Sequence, residues 1–213
     1  MTGTGTDTNR EADANADAEP YLTIAEPAVS RFSVRGSEFI GHATPAETVD
    51  AAEQFVEDVR DEYADASHNV PAYRVRSDPF REYSSDDGEP SGSAGKPVLS
   101  VLQGRDLENV CVVVTRYFGG TELGVGGLVR AYSKAATDAL ESAETVERRP
   151  RTRFNAVVEY DDSGTVRGIL ESEAVEFDAE YGERVVFDGS VPVSEAEELF
   201  DRLRSATSDR IEL

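Results

Sequence analysis

The 213-residue chain carries 43 acidic against 21 basic side chains, a formal net charge of −22, with one cysteine and no tryptophan. That length supplies one large domain or two small ones with room for a core. The charge argues against a nonspecific nucleic-acid footprint, the lone Cys111 rules out an internal disulfide, and no apolar run approaches the ~20 residues of a membrane helix.

Residues 1–19 lack the basic start and apolar middle of a secretory signal, so a soluble cytoplasmic protein is expected. Of the 21 bases only Lys96 and Lys134 are lysine. An acidic, arginine-over-lysine composition resembles that of halophilic proteins, whose surface repulsion is screened in molar salt.

Taken in order, residues 1–20 read as a disordered acidic tail, because they hold too little apolar surface to offset the entropy of ordering. Strands are expected over 28–34 and 37–43, paired across Arg35-Gly36. Thr44-Pro45-Ala46-Glu47 reads as an N-cap with proline at the first helical position, and Ala52, Phe55, Val56 and Val59 put a helix over 45–63. His68 to Val75 reads as a turn feeding a strand that Pro71 assigns to an edge or an opening bend. Residues 77–88 read as polar loop.

The central stretch, Asp86 to Lys134, has six acids and five bases, a net charge of −1 where an average segment of that length would carry about −5. A short helix with Pro97 near its start leads to an apolar strand, Val110 to Val114. This exits through Thr115-Arg116-Tyr117 into Gly119, Gly120, Gly124, Gly126 and Gly127, and a helix follows to about Ala143. Strand, glycine loop and helix can hold an anion on free backbone N–H groups, here flanked by Arg116 and Arg130. The same glycines could instead serve tight turns and close helix-to-sheet packing. Tyr117 or Tyr132 could offer a stacking face, although Tyr132 lies on the apolar stripe of its helix. Asp86, Asp87 and Glu89 could bind a divalent cation, but Asp87-Gly88 also reads as a simple turn, and an ion pair from these acids to Arg116 or Arg130 is a further expectation. Cys111 reads as a small buried hydrophobe.

Beyond a basic break at 147–153, the pattern is strand 154–160, helix 164–171, a hairpin over 174–191, helix 194–205 and a terminal strand 210–213. This β-α-β-β-α-β order is the ferredoxin-like unit.

Three blocks carry more than generic pattern: SHNVPAYRV at 67–75, SSDDGEPSGSAGKPVLSVLQG at 84–104 and VVVTRYFGGTELGVGGLVRAYS at 112–133. Together they resemble the YigZ/IMPACT family. The resemblance implies an α+β protein with an N-terminal two-layer domain like domain 2 of ribosomal protein S5 (21–146) and a C-terminal ferredoxin-like domain similar to domain V of elongation factor G (151–213). It also implies a translation-associated, non-catalytic protein that binds RNA, the ribosome or a translation factor. Carried onto this chain, the family motif gives a candidate surface of His68, Asp86, Asp87, Gly88, Glu89, Ser91, Lys96, Arg116, Tyr117, Gly119, Gly120, Gly124, Gly126, Gly127 and Arg130.

No cofactor, metal site or catalytic residue is expected, and the oligomeric state is open. The alternative is a phosphate-ligand or nucleotide-using enzyme, because small-molecule kinases share the S5-type fold. Against it, the chain has no G-x4-G-K-[ST], G-x-S-x-G or H-E-x-x-H pattern.

Overall fold

The computed structural model describes residues 19–213, so the predicted acidic tail falls outside the described residues up to position 18. The chain divides into two compact units, Tyr21–Arg148 and Arg149–Leu213. No helix among the described residues is long and apolar enough to cross a membrane.

In the first unit, β1 (Tyr21–Ile24) pairs with β7 (Thr145–Arg148) as a two-stranded ribbon. The main sheet has the order β2-β3-β6-β4-β5, with β2 at Ala28–Val34, β3 at Ser37–Pro45, β4 at His68–Val75, β5 at Arg81–Ser84 and β6 at Val110–Tyr117. Helices α2 (Gly95–Gly104) and α3 (Val125–Ser142) cover one face, where Phe39, Val70, Val112 and Val114 meet Val98, Leu102, Leu128 and Tyr132. Helix α1 (Val49–Glu62) covers the other, with Ala52, Val56 and Val59 against Tyr73, Cys111 and Val113. A central strand covered on both sides has no solvent face, which is why β6 reads as an unbroken apolar run. The small stripe of α3 lets it lie close: a Cβ on Gly41 would stand 2.3 Å from the carbonyl oxygen of Ala135.

Three local expectations change. The N-cap of α1 is Thr48, whose hydroxyl accepts the N–H of Ala51 at 3.1 Å; Thr44 and Pro45 are still in β3, opposite Cys111 and Val110. Strand β4 is interior, lying between β6 and β5, although it carries Pro71. The proline is tolerated because register turns its nitrogen toward the end of the short β5, and its carbonyl accepts the N–H of Ser85 at 3.1 Å. The polar segment 77–88 contains β5 itself, whose Tyr83 stacks on Tyr73 at 5.1 Å between centroids.

The second unit runs β8 (Arg151–Val158), α4 (Tyr160–Ser172), β9 (Glu176–Tyr181), β10 (Val185–Pro192) and α5 (Val193–Ala206), with sheet order β8-β10-β9. The expected terminal strand shrinks to a single antiparallel bridge, Val157 to Glu212, on the outer side of β8. The topology is still that of a ferredoxin-like unit. Ala156, Val158 and Phe187 pack with Val166 and Leu170 of α4 and Leu199 and Leu203 of α5. The whole is a mixed α+β protein of antiparallel sheets and five helices among the described residues, consistent with the S5-type and ferredoxin-like folds.

Candidate functional site: an internal ion pair and a cationic groove

Asp86 to Glu89 forms a tight turn. Asp87 and Gly88 both sit at positive φ (46° and 86°), and the N–H of Glu89 donates to the carbonyl of Asp86 at 2.9 Å. The Asp86 carboxylate accepts from the N–H groups of Gly92, Ala94 and Gly95 at 2.7, 3.1 and 2.9 Å, which closes the loop leading into α2. Burial alone would raise its pKa, but the three amide donors outweigh burial and hold it below the ordinary aspartate range. Asp87 accepts the N–H of Asn69 at 2.6 Å and lies 3.5 Å from the guanidinium of Arg60. These carboxylates are therefore engaged in shaping the turn, and among the described residues no three His, Cys, Asp or Glu side chains gather where they could hold a metal ion.

The turn delivers Glu89 into the interior. Its Oε1 accepts from Nη1 of Arg116 at 2.5 Å and from the hydroxyl of Tyr132 at 2.7 Å, and Nε2 of His68 stands 3.8 Å away. The Nδ1 of His68 is 2.7 Å from the carbonyl of Asp87; a carbonyl only accepts, so Nδ1 carries the proton. Desolvation, and then the bond to Glu89, push the Tyr132 hydroxyl far above the ordinary tyrosine range. Arg116 itself is 4% exposed, with Nη2 3.4 Å from the Ser37 hydroxyl and its guanidinium 5.5 and 5.4 Å from the ring centroids of Phe39 and Phe118.

This position corrects the expectation that Arg116 and Arg130 grip one anion from two sides. Arg116 is consumed by Glu89, which is the ion pairing anticipated for these acids, while Arg130 is exposed on α3. Tyr132 is fully buried and offers no stacking face, while Tyr117 is half-buried with its hydroxyl donating to Asp65 at 2.7 Å. Next to Tyr117, Phe118 is exposed, at 50%.

The glycine loop is split in the same way. Gly119 is locked: a Cβ there would fall 1.9 Å from the backbone of Gly36, so the tip of the β2–β3 hairpin and the loop touch main chain to main chain. Its N–H donates to Ser37 Oγ at 3.1 Å, and that of Phe118 to Ser67 Oγ at 3.0 Å. Gly120, Gly124 and Gly126 are exposed. Gly124 is the N-cap residue of α3, with no side-chain cap and no acid in the first turn, so the N–H groups of Val125, Gly126 and Gly127 have no intrahelical acceptor. The Arg130 guanidinium folds back over this turn, with Nη1 3.5 Å from where a Cβ on Gly126 would be.

Here the structure adds Phe32, Val34 and Arg35 of the hairpin and Leu123, which the sequence had not singled out as site residues. Together with Lys134 and the expected Gly127 and Arg130 they line a groove of about 440 Å³. Arg35 and Arg130 have no carboxylate partner among the described residues, and Lys134 is paired with Asp138 at 2.6 Å. Ser91 and Lys96 are exposed on the loop and first turn of α2 and do not line the groove. Arg35 was legible only as a turn residue, since nothing local says that it lands beside α3.

Two interlocked features thus define an α+β protein of S5-type and ferredoxin-like units: a buried Glu89–Arg116–Tyr132 network, and a cationic groove at the start of α3. Sequence comparison matches residues 35–140 to the Impact N-terminal domain and 157–210 to a domain of unknown function, DUF1949. The chain belongs to the IMPACT family. It is 33% identical over 194 residues to the IMPACT family member YvyE of Bacillus subtilis, covering 91% of this chain and 89% of that one. It is 32% identical over 198 residues to the IMPACT family member YigZ of Escherichia coli, covering 92% and 97%. A crystal structure of a hypothetical protein, 31% identical, superposes with a TM-score of 0.68 over 91% of this chain and 96% of that one.

Proposed function

We propose that this chain is a non-catalytic, translation-associated regulator that recognises an anionic partner, whether RNA, a ribosomal surface or a translation factor, through the groove at the start of α3. The family resemblance supplies the translation setting. One observation carries the binding surface: in a molecule of net charge −22, Arg35, Arg130 and Lys134 converge on one groove, next to uncapped helical N–H groups. The surrounding acids restrict contact with a polyanion to that patch. The Glu89–Arg116 pair takes no part in contact and holds the loop that presents the groove.

Co-sedimentation of the purified chain with ribosomal particles tests the reading. Association is expected to weaken with rising salt, and to fall about tenfold or more in Arg35→Ala/Arg130→Ala, since each desolvated charge-assisted bond contributes on the order of 1.5–3 kcal/mol. Unchanged association of the double variant would sink the assignment of the groove.

A further inference from the structure

Strand β2 is the outer strand of the main sheet, and no strand among the described residues pairs with its free side. Its hairpin with β3 closes through Arg35 and Gly36, at φ 48° and 85°, so Val34 and Ser37 form the hydrogen-bonded pair that flanks a two-residue turn. The pairs alternate from there. The main-chain groups of Ser30, Phe32 and Val34 face β3, and those of Val29, Arg31 and Ser33 point away from the sheet. Such an open ladder is a template for another strand.

The groove described above runs along this edge. Phe32 and Val34 pack toward α3, and Leu123, Arg130, Ala131 and Lys134 of the loop and helix stand beside them. A strand laid against β2 would point alternate side chains into this space, between apolar walls with Arg130 and Lys134 at hand. Arg31 and Arg35 are also exposed on the hairpin.

We propose that the free edge of β2 receives an extended protein segment with alternating apolar and acidic side chains, as a sixth strand of the sheet. The proposal rests on the anionic-partner reading and names the partner's chemistry. Three observations select a polypeptide strand. The edge offers donors and acceptors in turn, which a strand satisfies, whereas a phosphate chain only accepts and would face the carbonyls of Val29, Arg31 and Ser33. The ring of Phe32 is already stacked on Phe39 at 5.4 Å and carries Lys134 Nζ 5.0 Å from its centroid, so it offers no ready face to a base. A second copy of this edge would bring the same cations against Arg35 and Arg130, and like charges oppose that pairing, while Arg31 is already paired with Glu38 at 3.6 Å.

The test is amide hydrogen exchange on the full chain, alone, with a synthetic octapeptide alternating valine and glutamate, and with a uridine oligonucleotide. With the peptide, the amides of Val29, Arg31 and Ser33 are expected to exchange about tenfold more slowly or better. Ser33→Pro removes an outward N–H without breaking a bond to β3, and is expected to abolish peptide binding while the thermal midpoint stays within a few degrees of wild type. If the variant unfolds, exchange on the wild-type chain still decides. Peptide binding that leaves these amides unprotected, no peptide binding at millimolar concentration, or protection that appears through self-association without peptide would each overturn the proposal. Oligonucleotide binding lost in Arg35→Ala/Arg130→Ala but kept in Ser33→Pro would overturn it and leave the anionic-partner reading standing. Failure of both probes would remove both.

Discussion

The guanidinium of Arg116 and the carboxylate of Glu89 meet at 2.5 Å with side-chain exposures of 5% and 4%, which makes them a fully internal ion pair. Glu89 reaches it from the turn before α2 and Arg116 from the end of β6; Tyr132 of α3 donates to the same carboxylate oxygen. Three elements far apart in the chain are thereby pinned at one point, next to the loop that begins the groove. Removing one partner of such a pair strands a charge away from water.

Glu89→Ala is therefore expected to destabilise the fold by about 3–5 kcal/mol, read by urea unfolding. Glu89→Leu combined with Arg116→Met should cost clearly less than Glu89→Ala, because no charge is left buried. Equal losses would mean that packing, and not the stranded guanidinium, sets the penalty.

Tyr132→Phe deletes only the hydroxyl that bonds Glu89, leaving the apolar contacts of the ring with Phe39, which it meets edge-on at 5.3 Å. The expected loss is about 1.5–3 kcal/mol, that of a hydrogen bond to a charged acceptor. In Glu89→Gln the acceptor is neutral, and the further effect of Tyr132→Phe in that background should shrink, which a double-mutant cycle measures.

His42 lies on the α1 side of the sheet, where burial, opposed by Glu62 and supported by Arg31, lowers its pKa from 6.5 to about 4. A group whose folded pKa is depressed is protonated earlier in the unfolded chain, so the unfolded state takes up the extra proton between those values. Stability is therefore full above about pH 6.5 and falls as the pH drops toward 4, by roughly 2 kcal/mol after allowance for solvent screening. The part of the acid slope missing from His42→Gln in that window reports it, and a slope identical to wild type would contradict the assignment.

Gly119→Ala should fail where Gly104→Ala does not. The first places a Cβ 1.9 Å from the Gly36 backbone, and the second meets nothing within 4 Å. A loss of about 3 kcal/mol or more is expected for Gly119→Ala, and a change within about 0.5 kcal/mol for Gly104→Ala, both by thermal unfolding.

Salt is expected to stabilise the chain. At a net charge of −22, and with Asp178 and Asp188 directly opposite each other across β9 and β10, repulsion weakens as the Debye length falls toward ~3 Å in molar salt. The thermal midpoint should rise with potassium chloride, and Asp178→Asn should raise it most at low salt. A midpoint indifferent to salt would count against the halophilic reading of the composition.

Much of this was legible in the chain itself, because the signals are local. Periodicity gave α1 and α3, the Arg35-Gly36 turn gave the β2–β3 hairpin, and the order of elements after residue 150 gave the ferredoxin-like unit. The clustering of small residues along α3 foretold its close approach to the sheet. Local signals also misled where pairing partners were distant: Thr44-Pro45 looks like a helix start but is held in β3 by β6, and Pro71 looks like an edge marker but sits in an interior strand.

By itself the sequence determined the fold class, the strong acidity, and a glycine-rich, near-neutral centre with Arg116 and Arg130 close by. Only tertiary structure decided what those two arginines do. Strand β6 buries Arg116 beneath Phe118 against Glu89, where desolvation demands a partner, while α3 leaves Arg130 in solvent, where it joins Arg35 from a hairpin some ninety-five residues earlier. Charge and spacing are written along the chain; whether a charge is buried depends on which distant residues pack over it.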